Sequence, residues 1–375
     1  MILKNAEVFN QDFDLVQTDL SIHEDRFAEI APCLSGEEAI DLSGCIVAPG
    51  FVDIHIHGCA GADTCDGTRG AIETMAKHLI TKGVTSFCPT TMTVPMTQIR
   101  SALSVVRDCM EHPVEGARVC GVNMEGPYIS AHRKGAQDES YVRTPDWKEF
   151  EELFRDCGGI IKLVDIAPEQ ENADAFIEHA AKLCTVSMAH TDADYDRAKT
   201  AFEQGITHVT HLFNAMTGLN HRTPGGVGAV FDNSDVKAEI ICDGFHIHPA
   251  VLRLSFRVLG EDRTVIVSDS LRAAGLADGL YDLGGQQVCV KDGRARLADG
   301  TIAGSTTNLL DEIRNLVRFG LPLRQIVRSA TINPAAAIGM DDRIGSIKKG
   351  KSADLVVLNR DFTIRKVMVS GKFVS

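Results

Sequence analysis

The middle of the chain alternates short apolar runs with stretches of helical period, and no other feature of the sequence restricts the fold so strongly. The apolar runs predict eight strands, at residues 51–55, 84–88, 119–124, 160–166, 185–188, 208–210, 238–241 and 265–268. The stretches between most of them predict helices, at residues 71–82, 97–110, 146–155, 172–182, 194–204 and 250–259. This alternation, with strands that read as buried on both faces, predicts an α/β fold of the (β/α)8 TIM-barrel type. Beyond the eighth strand, residues 308–319 and 324–329 predict two further helices.

Both ends of the chain have a different character, because they read as short strands and turns. Residues 1 to about 50 contain no stretch of helical period, and the chain from residue 352 onwards is equally strand-like. Two β-rich ends around an α/β middle predict that the termini together build one small β-sandwich module. We therefore expect residues 1–49 and 345–375 to form this module and residues 50–344 to form the barrel.

The composition is that of an ordinary globular chain, with 375 residues, of which 44% are hydrophobic and 24% are charged. The sequence has neither a run of about 18 apolar residues nor the apolar core of a signal peptide, so we expect a cytoplasmic protein without a membrane partner. The 11 cysteines include no C-x-x-C pair, which favours reduced thiols over disulfides. The formal net charge of -13 argues against nucleic-acid binding.

The first predicted barrel strand carries two histidines on one face. Apolar and polar residues alternate from Phe51 to Gly58, so that His55 and His57, two positions apart, point to the same side. Imidazole is the commonest protein ligand for metals, so this pair would supply half of a metal site. Taken alone, the pattern is explained equally well by a half-buried strand with two incidental histidines.

A histidine or a carboxylate stands at the end of most predicted barrel strands, where barrel proteins place their functional sites. Those residues are His55, His57, Glu125, His190, His211, Asp243, His246 and Asp269. Singly, each would more often be a capping or core polar residue, but the joint pattern predicts a metal site on one rim of the barrel. Because such ligands accept several divalent ions, the pattern leaves the identity of the metal open.

Four other residues are weaker candidates for the site. His208 lies at the start of its strand and is predicted to be structural. Cys59 and Cys65 follow the first strand closely, and a plain buried or loop thiol is the commoner alternative to a thiolate ligand there. Lys162 lies on the fourth strand, where some barrel hydrolases carry a carboxylated bridging lysine, but Glu125 already offers a bridging carboxylate.

With these residues placed, the chain resembles the amidohydrolase superfamily nearly from end to end, and more narrowly its amino-sugar-phosphate deacetylases. The resemblance rests on APGFVDIHIHG (48–58), GVTSFCPTTMT (83–93), NMEGPYI (123–129), KGA (134–136), IAPE (166–169), MAHTDAD (188–194), THVTHLFNAM (207–216), CDGFHIHP (242–249), VSDS (267–270), IAGS (302–305) and IGSIKKGKSADLVVL (344–358). It implies that Glu125, His190 and His211 bind a catalytic divalent metal ion, with Zn or Fe expected, and that Asp269 is the acid/base. The residues implied to touch substrate are Ala136, Asn214, Ala215, Arg222, His246, Ile302, Ala303 and Gly304.

Two positions depart from the pattern of many members of that superfamily branch. Some members lack the first histidine of H-x-H and look built for one metal, whereas this chain has both His55 and His57. One or two ions per subunit are therefore expected, with the second ion on these two histidines. Gln137 follows Lys-Gly-Ala where many members have histidine, which leaves the role of this position open.

The resemblance implies hydrolysis of the acetamide of N-acetyl-D-glucosamine 6-phosphate, which gives D-glucosamine 6-phosphate and acetate in amino-sugar catabolism. In that reaction His246 is a candidate to polarise the amide carbonyl. Arg222 lies in a glycine-rich stretch, residues 220–226, that would reach the phosphate bound by a neighbouring subunit, so a homodimer is expected. Two alternatives stay open: another amidohydrolase, such as an N-acyl-amino-acid deacylase or a cyclic-amide hydrolase, and a catalytically dead metal-binding barrel.

Overall fold

In the computed structural model, which describes residues 1–36 and 38–374, strands and helices alternate through the middle of the chain. The strands are β1 (Ile2–Phe9), β2 (Leu15–His23), β3 (Arg26–Ala31), β4 (Ala39–Asp41), β5 (Ile46–Pro49), β6 (Phe51–Ile56), β7 (Gly58–Cys59), β8 (Ala62–Asp63), β9 (Val84–Thr91), β10 (Arg118–Val119), β11 (Val122–Met124), β12 (Ile161–Ile166), β13 (Thr185–Met188), β14 (Ile206–Val209), β15 (Lys237–Ile240), β16 (Thr264–Ile266), β17 (Gly279–Leu283), β18 (Gln286–Lys291), β19 (Arg294–Arg296), β20 (Leu355–Leu358), β21 (Ile364–Val369) and β22 (Lys372–Phe373). The helices are α1 (Arg69–Ile80), α2 (Met96–Glu111), α3 (Trp147–Asp156), α4 (Ala173–Ala180), α5 (Tyr195–Gln204), α6 (Gly225–Asp232), α7 (Pro249–Arg263), α8 (Leu309–Arg318), α9 (Leu323–Ala330) and α10 (Ile332–Ala337). Among the described residues, no helix has both the length and the apolar character that crossing a membrane requires.

The parallel strands of the middle form a closed barrel. In the order β6, β9, β11, β12, β13, β14, β15 and β16, each strand is hydrogen-bonded to the next, and β10 continues the position of β11 beside β9. The ring closes where the chain after β16 returns to β6. There the Asp269 amide donates to the His55 carbonyl at 2.9 Å, and Ile56 forms a parallel bridge with Ser270. This closure brings the end of the last strand beside the end of the first.

The predicted fold class is confirmed, because every predicted barrel strand and helix is present with ends that differ by a few residues. Helices α6 and α10 and the antiparallel sheet of β17, β18 and β19 had no counterpart in the sequence pattern. Helix α6 begins with Gly225 and Gly226, and glycine costs about 1 kcal/mol relative to alanine inside a helix. The stretch 220–226, which the sequence indicated to be a glycine-rich loop, therefore ends inside a helix that is buried from Gly225 to Val230.

Strands from both ends of the chain share one sheet, in the order β22, β21, β20, β5, β1, β2 and β3, with β4 paired to β1. Buried apolar side chains of both ends, such as Leu3 and Leu355, pack into a cluster separate from the main barrel core. The two termini are thus held together by backbone pairing and by a shared hydrophobic core. The domain bounds expected from the sequence stay a prediction.

An ion pair joins this terminal sheet to the barrel. Arg118, on β10, donates to both carboxylate oxygens of Asp354 at 2.7 and 3.2 Å and to the hydroxyl of Ser370 at 2.6 Å. Burial alone would lower the pKa of Arg118, but the charge of Asp354 raises it above its ordinary value. Asp354 is only 4% exposed, and Arg118 is the cation that pairs with it among the described residues.

Replacing Arg118 with alanine should lower the free energy of unfolding by about 3 kcal/mol, because Asp354 is left buried without a counter-ion. Urea unfolding at neutral pH measures the change. The control is Arg100→Ala, which removes an ion pair with Asp156 whose two side chains are 39% and 56% exposed. That variant should lose less than about 1 kcal/mol. Equal losses in the two variants would contradict the role given to Arg118.

Candidate active site

The carboxyl ends of the barrel strands bring five candidate metal ligands to one rim. His55 lies on β6 and His57 follows that strand, while Glu125 comes directly after β11. His190 and His211 lie just beyond the ends of β13 and β14. All five side chains are buried, so the cluster has little contact with bulk water.

The carboxylate of Glu125 is shared by two groups of ligands. Its Oε1 atom lies 3.1 Å from His190 Nε2 and 3.0 Å from His211 Nε2. Its Oε2 atom lies 3.2 Å from His57 Nε2, and Oε1 is 3.6 Å from His55 Nε2. Within each group of two histidines and Glu125, the ligand atoms lie within 4.8 Å of one another. One carboxylate with a histidine pair on either side is the geometry of a bridging ligand.

Backbone carbonyls bind Nδ1 of two imidazole rings and fix these rings in the orientation that metal binding requires. His190 Nδ1 lies 2.8 Å from the Arg133 carbonyl, and His57 Nδ1 lies 3.3 Å from the Thr90 carbonyl. A carbonyl only accepts hydrogen bonds, so each Nδ1 carries a proton and Nε2 is the ring nitrogen left to bind a metal in place of a proton. The buried Nε2 of His55 has no hydrogen-bond partner among the described residues. Nitrogen and carboxylate donors arranged in this way fit a divalent metal ion, so the rim offers a site for one.

The buried carboxylates give the site a strongly negative character. Burial alone would lower the pKa of His57, but hydrogen bonds and charges from Asp269 and Glu125 raise it to about 10. Burial alone would raise the pKa of Glu125, but the charge of His55 and hydrogen bonds from the other imidazoles hold it well below its ordinary value. The surroundings therefore stabilise positive charge at the position where the ligand atoms converge.

Three residues at the ligand cluster have a backbone conformation that residues other than glycine adopt rarely. The φ angles are 45° at His190, 28° at His211 and 46° at Asp269. Each of these residues follows the end of a barrel strand, where the turn aims its side chain at the rim. Such conformations cost about 1–3 kcal/mol each and persist where surrounding contacts enforce them, which is typical of functional sites.

Asp269 lies beside the ligands without belonging to either group. Its Oδ1 atom is 3.2 Å from His57 Nε2 and 3.5 Å from His55 Nε2. Burial alone would raise the pKa of Asp269, but the hydrogen bond from His57 and the charge of His55 lower it below its ordinary value. The carboxylate is therefore ionised at neutral pH and able to accept a proton.

A cleft of about 320 Å³ opens above these groups. It is lined by His57, Glu125, His190, His211 and Asp269 together with Ala136, Asn214, Ala215, His246, Ile302 and Gly304. Of the other residues expected to touch substrate, Ala303 is fully buried beside the cleft, and Arg222 is exposed on the surface outside it. Within one chain, the structure thus places all the expected contacts at or beside the cleft except Arg222.

Two further side chains are fixed toward the cleft by neighbouring groups. His246 Nδ1 lies 2.7 Å from the carboxylate of Asp243, which leaves Nε2 for a ligand in the cleft. Gln137 donates from Nε2 to Glu125 Oε2 at 2.5 Å and accepts from the Thr93 amide at 2.7 Å. The position whose role the sequence left open therefore holds one oxygen of the shared carboxylate.

The weaker candidates do not belong to the ligand cluster. Lys162 is the second residue of β12 and lies at the opposite end of that strand from the rim. Burial raises the pKa of the Cys59 thiol to about 12, and it raises that of Cys65 further, so neither thiolate forms at neutral pH.

His208 contacts Glu239, a buried carboxylate on β15 that sequence reasoning missed. The available signal was a single charged residue within the apolar run 238–241.

Comparison with known proteins connects this geometry to one family. A model of the amidohydrolase family matches residues 46–374. The N-acetylglucosamine-6-phosphate deacetylase of Bacillus subtilis (strain 168) is 38% identical over 331 residues, which cover 87% of this chain and 84% of the relative. The N-acetylgalactosamine-6-phosphate deacetylase of Escherichia coli O157:H7 is 33% identical over 332 residues, which cover 88% of each.

A solved structure has the same fold over the whole chain. It is an Asp-to-Ala variant of N-acetyl-D-glucosamine-6-phosphate deacetylase from Mycobacterium smegmatis, in complex with N-acetyl-D-glucosamine-6-phosphate. It is 31% identical, with a TM-score of 0.94, and the match covers 100% of this chain and 98% of that one. From the family match and these similarities we conclude that the chain belongs to the amidohydrolase family.

Proposed function

We propose that this protein is a metal-dependent deacetylase that hydrolyses N-acetyl-D-glucosamine 6-phosphate to D-glucosamine 6-phosphate and acetate. The observation that carries the proposal is the Glu125 carboxylate shared by two histidine pairs, with the ionised Asp269 beside it in the cleft. Relatives more than 30% identical over most of the chain carry this activity in their names. No feature of the site favours either alternative, another amide hydrolase or a metal-binding barrel without catalytic activity.

The residues of the chain divide the reaction between them. Glu125, His190 and His211 would hold a divalent ion, for which we propose Zn or Fe, and that ion would supply Lewis acidity to the amide carbonyl and to water. Asp269 takes the proton of the attacking water and passes it to the amide nitrogen as the C–N bond breaks. His246, held by Asp243, donates a hydrogen bond from Nε2 to the carbonyl oxygen as negative charge develops there.

A substrate panel tests this function directly. Purified protein with Zn²⁺ or Fe²⁺ should release acetate from N-acetylglucosamine 6-phosphate at least a hundredfold faster, in kcat/KM, than from unphosphorylated N-acetylglucosamine. N-acetylgalactosamine 6-phosphate, an N-acyl amino acid and a cyclic amide complete the panel. Preference for either of the last two, or no turnover of any member with either metal, would refute the proposal.

The cytoplasmic location expected from the sequence stays a prediction.

We further propose two ions per chain, one on each histidine pair. His211→Ala removes a ligand of the ion held with His190, so bound metal should fall from about two ions per chain to about one. Turnover should fall with it, by about a hundredfold or more, because the remaining ion is not the one assigned to the reaction. His57→Ala should remove only the other ion. Metal analysis at saturating Zn²⁺, beside the acetate assay, measures both effects. The control is His112→Ala, because the His112 side chain is 71% exposed, and it should change neither quantity.

Two outcomes would contradict the assignment in different ways. A His211→Ala protein with full metal content and full turnover would show that the ligand group is wrong. A wild-type chain that binds only one ion at saturating metal would reject the two-ion version and leave the one-ion version intact.

Asp269→Asn should lower kcat by about a hundredfold or more, because the amide keeps the size of the side chain but cannot accept the proton. Metal content and substrate affinity should stay close to wild type, which equilibrium binding of the uncleaved substrate to the slow variant measures. A loss of less than about tenfold would assign the proton transfer to another group. Asp342→Asn is the matched control for the substitution, because the Asp342 side chain is 72% exposed, and it should leave kcat unchanged.

We infer that the active unit is a homodimer in which Arg222 serves the neighbouring subunit. Arg222 is exposed, and no ion pair involving it occurs among the described residues. The loop before α6 also exposes Leu219, and the adjacent helix α7 exposes Leu254 and Val258, which are 55%, 57% and 45% exposed. The net charge of -13 makes a local cation necessary for a phosphate.

Arg222→Ala should raise KM for N-acetylglucosamine 6-phosphate by about 10- to 150-fold, which corresponds to the loss of a charged hydrogen bond worth about 1.5–3 kcal/mol. The slow reaction of the unphosphorylated sugar should change little, since it has no group for the guanidinium. Arg343→Ala, whose side chain is 73% exposed, is a control for the loss of one positive charge. Equal effects on both sugars would show that Arg222 does not read the phosphate. A fully active monomer in sedimentation would exclude the shared site.

A further inference from the structure

Glu239 is a buried charge next to the ligand cluster that the reaction itself does not use. It lies on β15 and is fully buried. Its Oε2 atom is 2.8 Å from His55 Nδ1 and accepts from the backbone amide of His211 at 3.3 Å. Its Oε1 atom is 3.2 Å from His208 Nε2. A carboxylate in the barrel interior thus has three donors, two of them imidazoles.

The contact with His55 decides which nitrogen of that ring can bind a metal. An ionised carboxylate accepts hydrogen bonds only, so Nδ1 of His55 carries a proton and Nε2 is the nitrogen available to bind a metal in place of a proton. That Nε2 atom is 3.6 Å from Glu125 Oε1 and 3.5 Å from Asp269 Oδ1, and it has no hydrogen-bond partner among the described residues. The ring is therefore fixed with its ligand atom toward the shared carboxylate.

The effect of Glu239 on the two ligand groups is unequal. In the group of His55, His57 and Glu125 it contacts a ligand ring. In the group of Glu125, His190 and His211 it contacts only a backbone amide, and the His190 ring is oriented by a carbonyl instead. A change at Glu239 should therefore act on one ion site and spare the other.

We propose that Glu239 is the positioning residue of the second ion site, and that its carboxylate makes this chain a two-ion protein. The proposal rests on the proposed function only in taking the bound ions to be the divalent ions of the enzyme. Its test measures the ions themselves and not turnover.

The test is the isosteric variant Glu239→Gln, whose amide can no longer accept from both His55 and His208. Zinc binding, measured by competition with a chelator, should show that the second ion binds about 10- to 100-fold more weakly than in the wild type. The first ion should bind as before. With ¹¹³Cd²⁺ as the probe, the wild type should give two resonances, one from each ion site. Glu239→Gln should keep the resonance of the first site, and the resonance of the second site should be weaker because that site is less occupied.

The matched control is Asp165→Asn, because Asp165 is also a fully buried carboxylate of the barrel but accepts from the Thr210 hydroxyl and contacts no ligand ring. It should bind two ions like the wild type. If Glu239→Gln does not fold, Glu239→Asp keeps the charge and shortens its reach, and the same selective loss of the second ion is expected.

Three results would overturn the proposal. They are unchanged affinity for both ions in the variants at Glu239, equal loss of both ions, and a wild-type chain that binds one ion only. Acetate release by the wild-type protein is measured separately. A failure of the Glu239 proposal therefore leaves the deacetylase activity standing, and a failure of that activity leaves the ion measurements interpretable.

Discussion

The shared carboxylate of Glu125 is the contact on which the rest of the site depends. Four imidazoles come from three other barrel strands, and each of them places Nε2 within 3.6 Å of one oxygen of this carboxylate. Without a cation, so many buried ligands would be costly, because each must exchange its hydration for partners inside the protein. The pKa of His57, raised to about 10, reports the same negative potential. A divalent ion is the partner that satisfies these donors together.

The fold brings this arrangement about through the closure of the barrel. Strand β6 supplies His55, and the chain after β16 supplies Asp269, and the two segments are joined by backbone hydrogen bonds. The proposed proton acceptor therefore has a fixed distance to the ligands, although it is far from them in sequence. Behind the ligands, carbonyls and carboxylates fix the imidazole rings, so that binding an ion requires little reorganisation. The terminal sheet is anchored to the same barrel by Arg118 and Asp354.

The sequence was informative where local pattern determines structure. Apolar runs located the strands, and histidines or carboxylates at their ends located the rim, because parallel strands in a barrel place those ends together. It was uninformative where a contact joins distant positions: His55 and Glu239 are 184 residues apart, and Arg118 and Asp354 are 236 apart. Helix α6 escaped notice because its glycines have low helix propensity, and burial against the barrel compensates for it. The role proposed for Arg222 depends on a second chain, which no pattern within one chain can display.

The most direct measurement of the central claim is anomalous diffraction from crystals soaked in Zn²⁺, recorded on both sides of the zinc absorption edge. The account predicts two anomalous peaks, one between Glu125 and the pair His190 and His211, the other between Glu125 and the pair His55 and His57. Two peaks joined by the two oxygens of Glu125 would establish the bridging carboxylate. Zinc bound away from Glu125, or no ordered zinc at the rim of the barrel, would contradict it.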